Sequence, residues 1–196
     1  MTEATSPASV SARLELRVAD ADLDAFASLF ERLTTSGITF TTLSERRQTD
    51  SRWLEHFTHL DNETRNAWPD PNVPRTVEAM KGRLSDLAMD FDACFIALER
   101  EHWVGYSCLD TANSSAERLR QSWTGVVPSH RRRGIATALK VLGVRYARQH
   151  GYAFIETTSR ADNVVSQAMN LRVGFRTPET ATARRSFDST LISGYD

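Results

Sequence analysis

Cysteine is scarce in this chain of 196 residues: Cys94 and Cys108 are the only two, and they form no CxxC pair. That argues against a disulfide-stapled scaffold. Both fall in expected strands, so buried free thiols are the favoured reading, ahead of a disulfide or a catalytic thiol. No apolar run approaches the ~20 residues a membrane-spanning helix needs. The opening stretch MTEATSPASVSAR lacks the apolar core of a secretory leader, so a reduced cytoplasm is the expected location. The net charge is only −1, which provides no global field toward nucleic acid or an anionic membrane. There is no internal repeat, and no low-complexity tract beyond the N-terminal tail.

What is present suits a globular domain: 40% hydrophobic and 25% charged residues can build a core. Residues 1–12 read as a disordered tail. Leu14 to Val18 alternate with period two, and Leu23, Phe26, Phe30 and Leu33 follow at helical spacing, so 13–37 reads as a strand–helix extension. From Ile38 onward (38–196) the pattern reads as the main domain. Ile38 to Leu43 is a β-branched strand. Asp50 opens a helix carrying Trp53, Leu54, Phe57 and Leu60. Pro69, Pro71 and Pro74 force a loop, and a further helix follows from Thr76. Phe91–Leu98 and His102–Leu109 read as a hairpin whose turn lacks the usual glycine. Ser122–Val127 is a strand, Ile135 to Tyr146 a helix, Tyr152–Thr158 a strand, and Asn163 to Gly174 a short helix. Ser186–Ile192 is expected to be a final strand. Mostly antiparallel strands with inserted helices make the fold class α+β.

The most informative stretch is Val127-Pro128-Ser129-His130-Arg131-Arg132-Arg133-Gly134-Ile135-Ala136-Thr137. Gly134 and Ala136 remove side-chain bulk where a helix begins, so peptide N–H groups can approach a ligand closely. The free amides and positive dipole end of that helix favour a phosphate or pyrophosphate, and the arginines add charge-assisted donors. A solvated basic loop is the plain alternative. One helix and one strand later comes a second pattern. Asn163, Gln167 and Asn170 fall on one side of a short helix, and Val165, Ala168, Met169 and Arg172 on another, which predicts an apolar back and an amide-bearing front.

Together these segments resemble the GNAT superfamily of acyl-CoA-dependent N-acyltransferases, from about Phe91 to Phe175. Val126 to Ala136 is similar to the family's Q/R-x-x-G-x-G/A loop with its V-x-P lead. Asn163, Ser166, Met169 and Gly174-Phe175 match its second element. The resemblance implies a mostly antiparallel central sheet with a V-shaped splay between the two strands that flank the cofactor, and helices on both faces. It implies acetyl-CoA as co-substrate, without a metal, and an amine acceptor. Backbone amides of Arg131, Arg132, Arg133, Gly134, Ile135, Ala136 and Thr137 would hold the pyrophosphate. The strand end at Thr124, Gly125 and Val126 would pair with the pantetheine arm, and Asn163 and Asn170 would lie near the cofactor.

The implied chemistry is direct attack of a neutral amine on the thioester. Many family members protonate the leaving sulfur with a tyrosine seven residues after the helix-opening asparagine, but here that position is Asn170, which cannot be a general acid. Three readings follow: Asn170 steadies the sulfur or a water while solvent supplies the proton; another residue such as Tyr106 supplies it; or the chain is a non-catalytic acyl-CoA-binding module. Glu156 is the candidate base, with Asp110 as a second choice. Acceptor contacts are expected from Asp50 to Leu87, where His56, His59, Asp61, Glu63 and Trp68 are available. His56 and His59 lack the third ligand a zinc site requires. Nucleic-acid binding through Arg131 to Arg133 lacks an interleaved aromatic platform. A homodimer through a sheet edge is an open expectation.

Overall fold

The structure is a computed structural model that describes residues 11–65, 73–86, 89–111 and 116–178. Most of the expected tail, Trp68, the start of the proline loop and the expected strand Ser186–Ile192 lie outside the described residues. Six strands, β1 (Ser11–Arg17), β2 (Ile38–Thr42), β3 (Cys94–Glu99), β4 (His102–Asp110), β5 (Arg118–Val126) and β6 (Phe154–Arg160), form one sheet in the order β1-β6-β5-β4-β3-β2. Neighbours are antiparallel except β5 and β6, which run parallel. The helices are α1 (Ala27–Thr35), α2 (Leu43–Thr49), α3 (Trp53–Arg65), α4 (Val77–Asp86), α5 (Ile135–Gln149) and α6 (Val164–Val173). This is the α+β class expected from the sequence.

Period-two patterning explains β1. Leu14 and Leu16 are buried while Arg13, Glu15 and Arg17 are not, and the strand pairs with β6 along its whole length, from Ser11↔Arg160 to Arg17↔Phe154. The strand begins at Ser11, so Ser11 and Ala12 belong to the sheet rather than to a tail. Residues 11–17 therefore add a strand to the common sheet. On its outer side Glu15 bridges Arg176. The β3–β4 hairpin closes through Arg100 and Glu101, between paired Glu99 and His102. Arg100 takes φ 57, doing without glycine what glycine or asparagine usually does there.

Helix α5 packs its Leu139 against Gly105 of β4, and Leu109 of β4 against its own Gly143. On the opposite face of β4, Phe57 of α3 meets Tyr106 edge-on at 5.0 Å. Core side chains such as Leu139, Ile96, Leu60 and Phe175 are fully enclosed, and burial of each stabilises the fold by roughly 1.5–3 kcal/mol. Cys94 and Cys108 face each other across β3 and β4 as free, buried thiols, and burial pushes the Cys94 thiol well above its ordinary range.

Two irregularities open the sheet. Between β4 and β5 the register slips: Cys108 faces Trp123 and Leu109 faces Gln121, leaving Ser122 as the extra residue of a bulge. Gln121 fastens it, its Nε2 donating to Cys108 O at 2.8 Å and to Trp123 O at 3.1 Å. A bulge bends its strand and increases the local twist. Consistently, β5 and β6 pair only from Arg118↔Phe154 to Arg120↔Glu156. Beyond that point the strands part, and the side of β5 that faces β6 has no strand partner.

Candidate active site

The parting of β5 and β6 creates a groove of about 970 Å³, walled by both strands, the loop 130–134, the start of α5 and the front of α6. At its upper end the chain turns sharply: Arg132 adopts φ 60 and Gly134 φ 90. Gly134 is the N-cap of α5 and offers no capping side chain. The first helical donor is Ala138, whose N–H reaches Gly134 O at 3.0 Å, so the amides of Ile135, Ala136 and Thr137 precede the intrahelical ladder. In contrast, α2 and α6 are capped by Thr42 and Asn163. An uncapped helix start beside exposed Arg131 and Arg132 is an electropositive terminus open to an anion.

The two glycines have reasons beyond ligand approach. A Cβ on Gly134 would lie 2.6 Å from Leu29 of α1, on a backbone that already demands left-handed geometry. A Cβ on Gly125 would lie 2.6 Å from the Thr64 side chain of α3. Gly125 thus lets α3 sit close over β5.

Ten of the twelve residues read from the sequence as cofactor contacts come together on this groove: Thr124, Gly125, Val126, Arg131, Arg132, Gly134, Ile135, Ala136, Thr137 and Asn163. Arg131 also braces the strand end, its Nε donating to Val126 O at 3.1 Å. The other two lie apart. Arg133 turns its guanidinium to Glu99 at 3.0 Å, and Glu99 also binds His130 at 3.1 Å; these hydrogen bonds, His130 first, hold its carboxyl below the usual range. Asn170 is 1% exposed and turned into the fold, and its Oδ1 has no hydrogen-bond partner.

This departs from the faces predicted for α6: Asn163 does reach the groove, but Asn170 does not. Val165, expected on the apolar back, is 80% exposed and lines the groove with Met169, whereas Asn170 and Val173 are buried. The reason is that Asn163 and Gln167 are used up locally. The Asn163 side chain caps Ser166 N at 3.0 Å and Gln167 Nε2 donates to Arg160 O at 2.9 Å.

Glu156 is bound to Arg13 of β1 at 2.5 Å, and Asp110 is buried in a two-pronged pair with Arg120 at 3.0 and 3.1 Å. Tyr106 donates to Asp61, which also accepts from Arg75 and from Arg65 Nε at 3.1 Å. Burial and the Asp61 charge push the Tyr106 hydroxyl well above its ordinary range. Asp61, read from the sequence as available to an acceptor, is 2% exposed and neutralised by two arginines. His56 binds Asp50 at 2.8 Å and His59 pairs with Glu63 at 3.4 Å, so the two histidines serve separate carboxylates. Phe57, Met80, Leu84 and Tyr106 line a cavity of about 20 Å³, and Ser122 and Trp123 line both it and the groove.

Of the groove residues that escaped the sequence reading, one carries an unusual charge environment. Lys140 of α5 is buried, and desolvation lowers its ammonium from the ordinary value to about 7. The available signal was a lysine three and four residues from Thr137 and Val144 on the buried stripe of α5.

A strand with one unpaired edge, set beside an uncapped helix start, has a shape and charge that suit an extended ligand with an anionic end. Comparison with known proteins gives the family. The chain belongs to the acetyltransferase (GNAT) family, whose model matches residues 53–175. Comparison with curated protein sequences gives no match. Among solved structures, the ribosomal-protein-S18-alanine N-acetyltransferase from Escherichia coli is 15% identical with a TM-score of 0.54, over 71% of this chain and 77% of that one. A tandem GNAT protein from the clavulanic acid biosynthesis pathway is 16% identical with a TM-score of 0.59, over 88% of this chain and 51% of that one; the chain thus spans about half its length. The aminoglycoside N-acetyltransferase AAC(6')-Iy, solved with CoA, is 19% identical with a TM-score of 0.51, over 71% of this chain and 86% of that one. These likenesses establish the fold. No described helix is long and apolar enough to cross a membrane.

Proposed function

We propose that this acetyltransferase-family chain moves an acetyl group from acetyl-CoA to a primary amine of a small molecule or peptide by direct attack. The observation that carries the reading is the open V between β5 and β6 with the uncapped start of α5 at its mouth. The amides of Ile135, Ala136 and Thr137 hold the diphosphate, and Arg131 and Arg132 add charge. The pantetheine arm lies along Thr124 to Val126 and completes the unpaired edge of β5. A β5 peptide N–H beside the thioester serves the tetrahedral oxyanion. The acceptor amine enters from the side of α3 and α4, past Ser122 and Trp123, and gives up its proton through water. Glu156 and Asp110 are given no role in this step, because each is engaged in an ion pair.

A non-catalytic acyl-CoA-binding module is the second reading, favoured by one observation: the Asn170 side chain lies off the groove. Calorimetric titration with acetyl-CoA tests the shared part. Wild type should bind in the micromolar range typical of such substrates, and Ala136→Glu, which puts bulk and negative charge at the diphosphate position, should not bind. Equal affinity in the two proteins refutes the placement. A panel of amines read by free-thiol release separates enzyme from module.

A further inference from the structure

Only two of the 24 Lys and Arg residues are lysines. Lys81 is exposed on α4. Lys140 is 3% exposed, on the groove wall. A lysine kept for packing alone would carry its ammonium to solvent or to a carboxylate. Lys140 reaches no carboxylate: among the described residues no carboxylate or carbonyl accepts from its Nζ, which stands 5.2 Å from the centre of the Phe175 ring, so the groove is its one outlet. Two buried polar atoms of neighbouring elements have no hydrogen-bond partner: Ser159 Oγ on β6, on the groove wall, and Asn170 Oδ1 on α6, off it.

The charged groups around the groove do not compensate Lys140. Arg160 is paired with Asp162 and His130 with Glu99; Arg131 and Arg132 are cations, as Lys140 is when protonated. From β4 and β5, Ser107, Thr124 and Gln121 present uncharged polar groups already bonded to one another. On β6, Thr157 is bonded to Gln121 O. Lys140 is therefore a buried amine waiting in the path of the ligand. It lies five residues into α5 from Ile135, ~7.5 Å along the axis, from the diphosphate end toward the apex where β5 and β6 rejoin.

We propose that Lys140 is the proton donor to the departing CoA thiolate, the role that the Asn170 amide cannot fill. The proposal rests on the acetyltransferase reading. In the step, the acceptor nitrogen forms the new C–N bond and the C–S bond breaks, its electron pair staying on sulfur. Sulfur takes a proton from Lys140 Nζ. The acceptor nitrogen sheds its surplus proton to water, and water reloads Lys140. Burial leaves both ammonium and amine populated near pH 7, which suits a group that must give and regain a proton each turnover.

The test uses wild type, Lys140→Met and Lys140→Arg with CoA itself, which needs no knowledge of the acceptor. The thiolate absorbance of bound CoA is followed against pH, alongside calorimetry. Wild type should ionise bound CoA well below the ordinary thiol value of about 8.5. Lys140→Met should bind CoA within a few-fold of wild type yet ionise it at or above that value. With any amine that wild type acetylates, Lys140→Met should lose ~100-fold in kcat, the low end of general acid catalysis, with KM for acetyl-CoA nearly unchanged. Lys140→Arg keeps the charge but cannot release a proton, so its turnover should stay low. If CoA binds Lys140→Met and its thiol titrates as in wild type, the role of Lys140 falls while the cofactor site stands. An acetyl group found on Lys140 by peptide mass also overturns it, because the amine would then be an acceptor. If wild type binds no CoA, the acetyltransferase reading itself fails and this inference goes with it.

Discussion

Replacing Lys140 with methionine should stabilise the fold, and should do so most at low pH. The side chain is 3% exposed, and burial lowers its ammonium from 10.5 to about 7. In the unfolded chain the lysine stays protonated up to about 10.4. Between those values the unfolded state binds one proton more than the native state, so stability rises with pH across that window. Below pH 7 both states are protonated, and the native state carries the cost of a buried charge with no ion-pair partner, only the face of the Phe175 ring. At about 1.4 kcal/mol for each unit of pKa, that cost is on the order of 5 kcal/mol; by pH 9 about 2 kcal/mol of it remains. Methionine fills similar space without the charge. The stability gap between Lys140→Met and wild type should therefore narrow by about 2–3 kcal/mol from pH 6 to pH 9. Urea unfolding of both proteins at the two pH values measures it, read from midpoints at constant m. A gap of equal size at pH 6 and pH 9 would mean that Lys140 keeps its charge in the fold through a partner, and the description of an unpaired amine on the groove wall would be wrong.

Other substitutions probe the framework. Gly134→Ala should cost roughly 1–2 kcal/mol for a left-handed residue and more from the 2.6 Å approach of Leu29; thermal unfolding reads the loss, and in a double-mutant cycle Leu29→Ala should relieve only the contact part. Asp61→Ala strips Tyr106, Arg65 and Arg75 of their shared acceptor and should cost about 3–5 kcal/mol in chemical denaturation, as removal of one partner from a buried pair does. Tyr106→Phe should cost about 1 kcal/mol yet leave kcat within a few-fold, since its proton is held by Asp61; a large fall in kcat would restore Tyr106 as the acid.

Much of the site was legible because it depends on local chain geometry. Gly134 followed by Ile135-Ala136-Thr137 marks an uncapped helix start in any setting, and Asn163 with Gly174 brackets α6 by its own caps. The α2 helix was equally readable in principle: Thr42 and Glu45 form a reciprocal capping box, which the β-branched run before it masked. Tertiary choices were harder to read. Which side of α6 faces the groove depends on Asn163 and Gln167 spending their amides on nearby backbone, and periodicity alone pointed the wrong way. Why β5 carries glycine at 125 was also out of reach, because the space a side chain would need there is filled by Thr64, distant in sequence. Lys140 was overlooked because a lysine on a helix is ordinarily solvated, and only the closure of α6 and Phe175 over α5 shows that it is not. The pairing of β1 with β6 is a long-range match that no local pattern specifies.

A crystal structure with bound CoA tests the central claim most directly. The account predicts density for the diphosphate at the amides of Ile135, Ala136 and Thr137, with the pantetheine arm hydrogen-bonded along Thr124 to Val126 in the gap between β5 and β6. A nucleotide bound elsewhere on the fold, with that gap left empty, would contradict it.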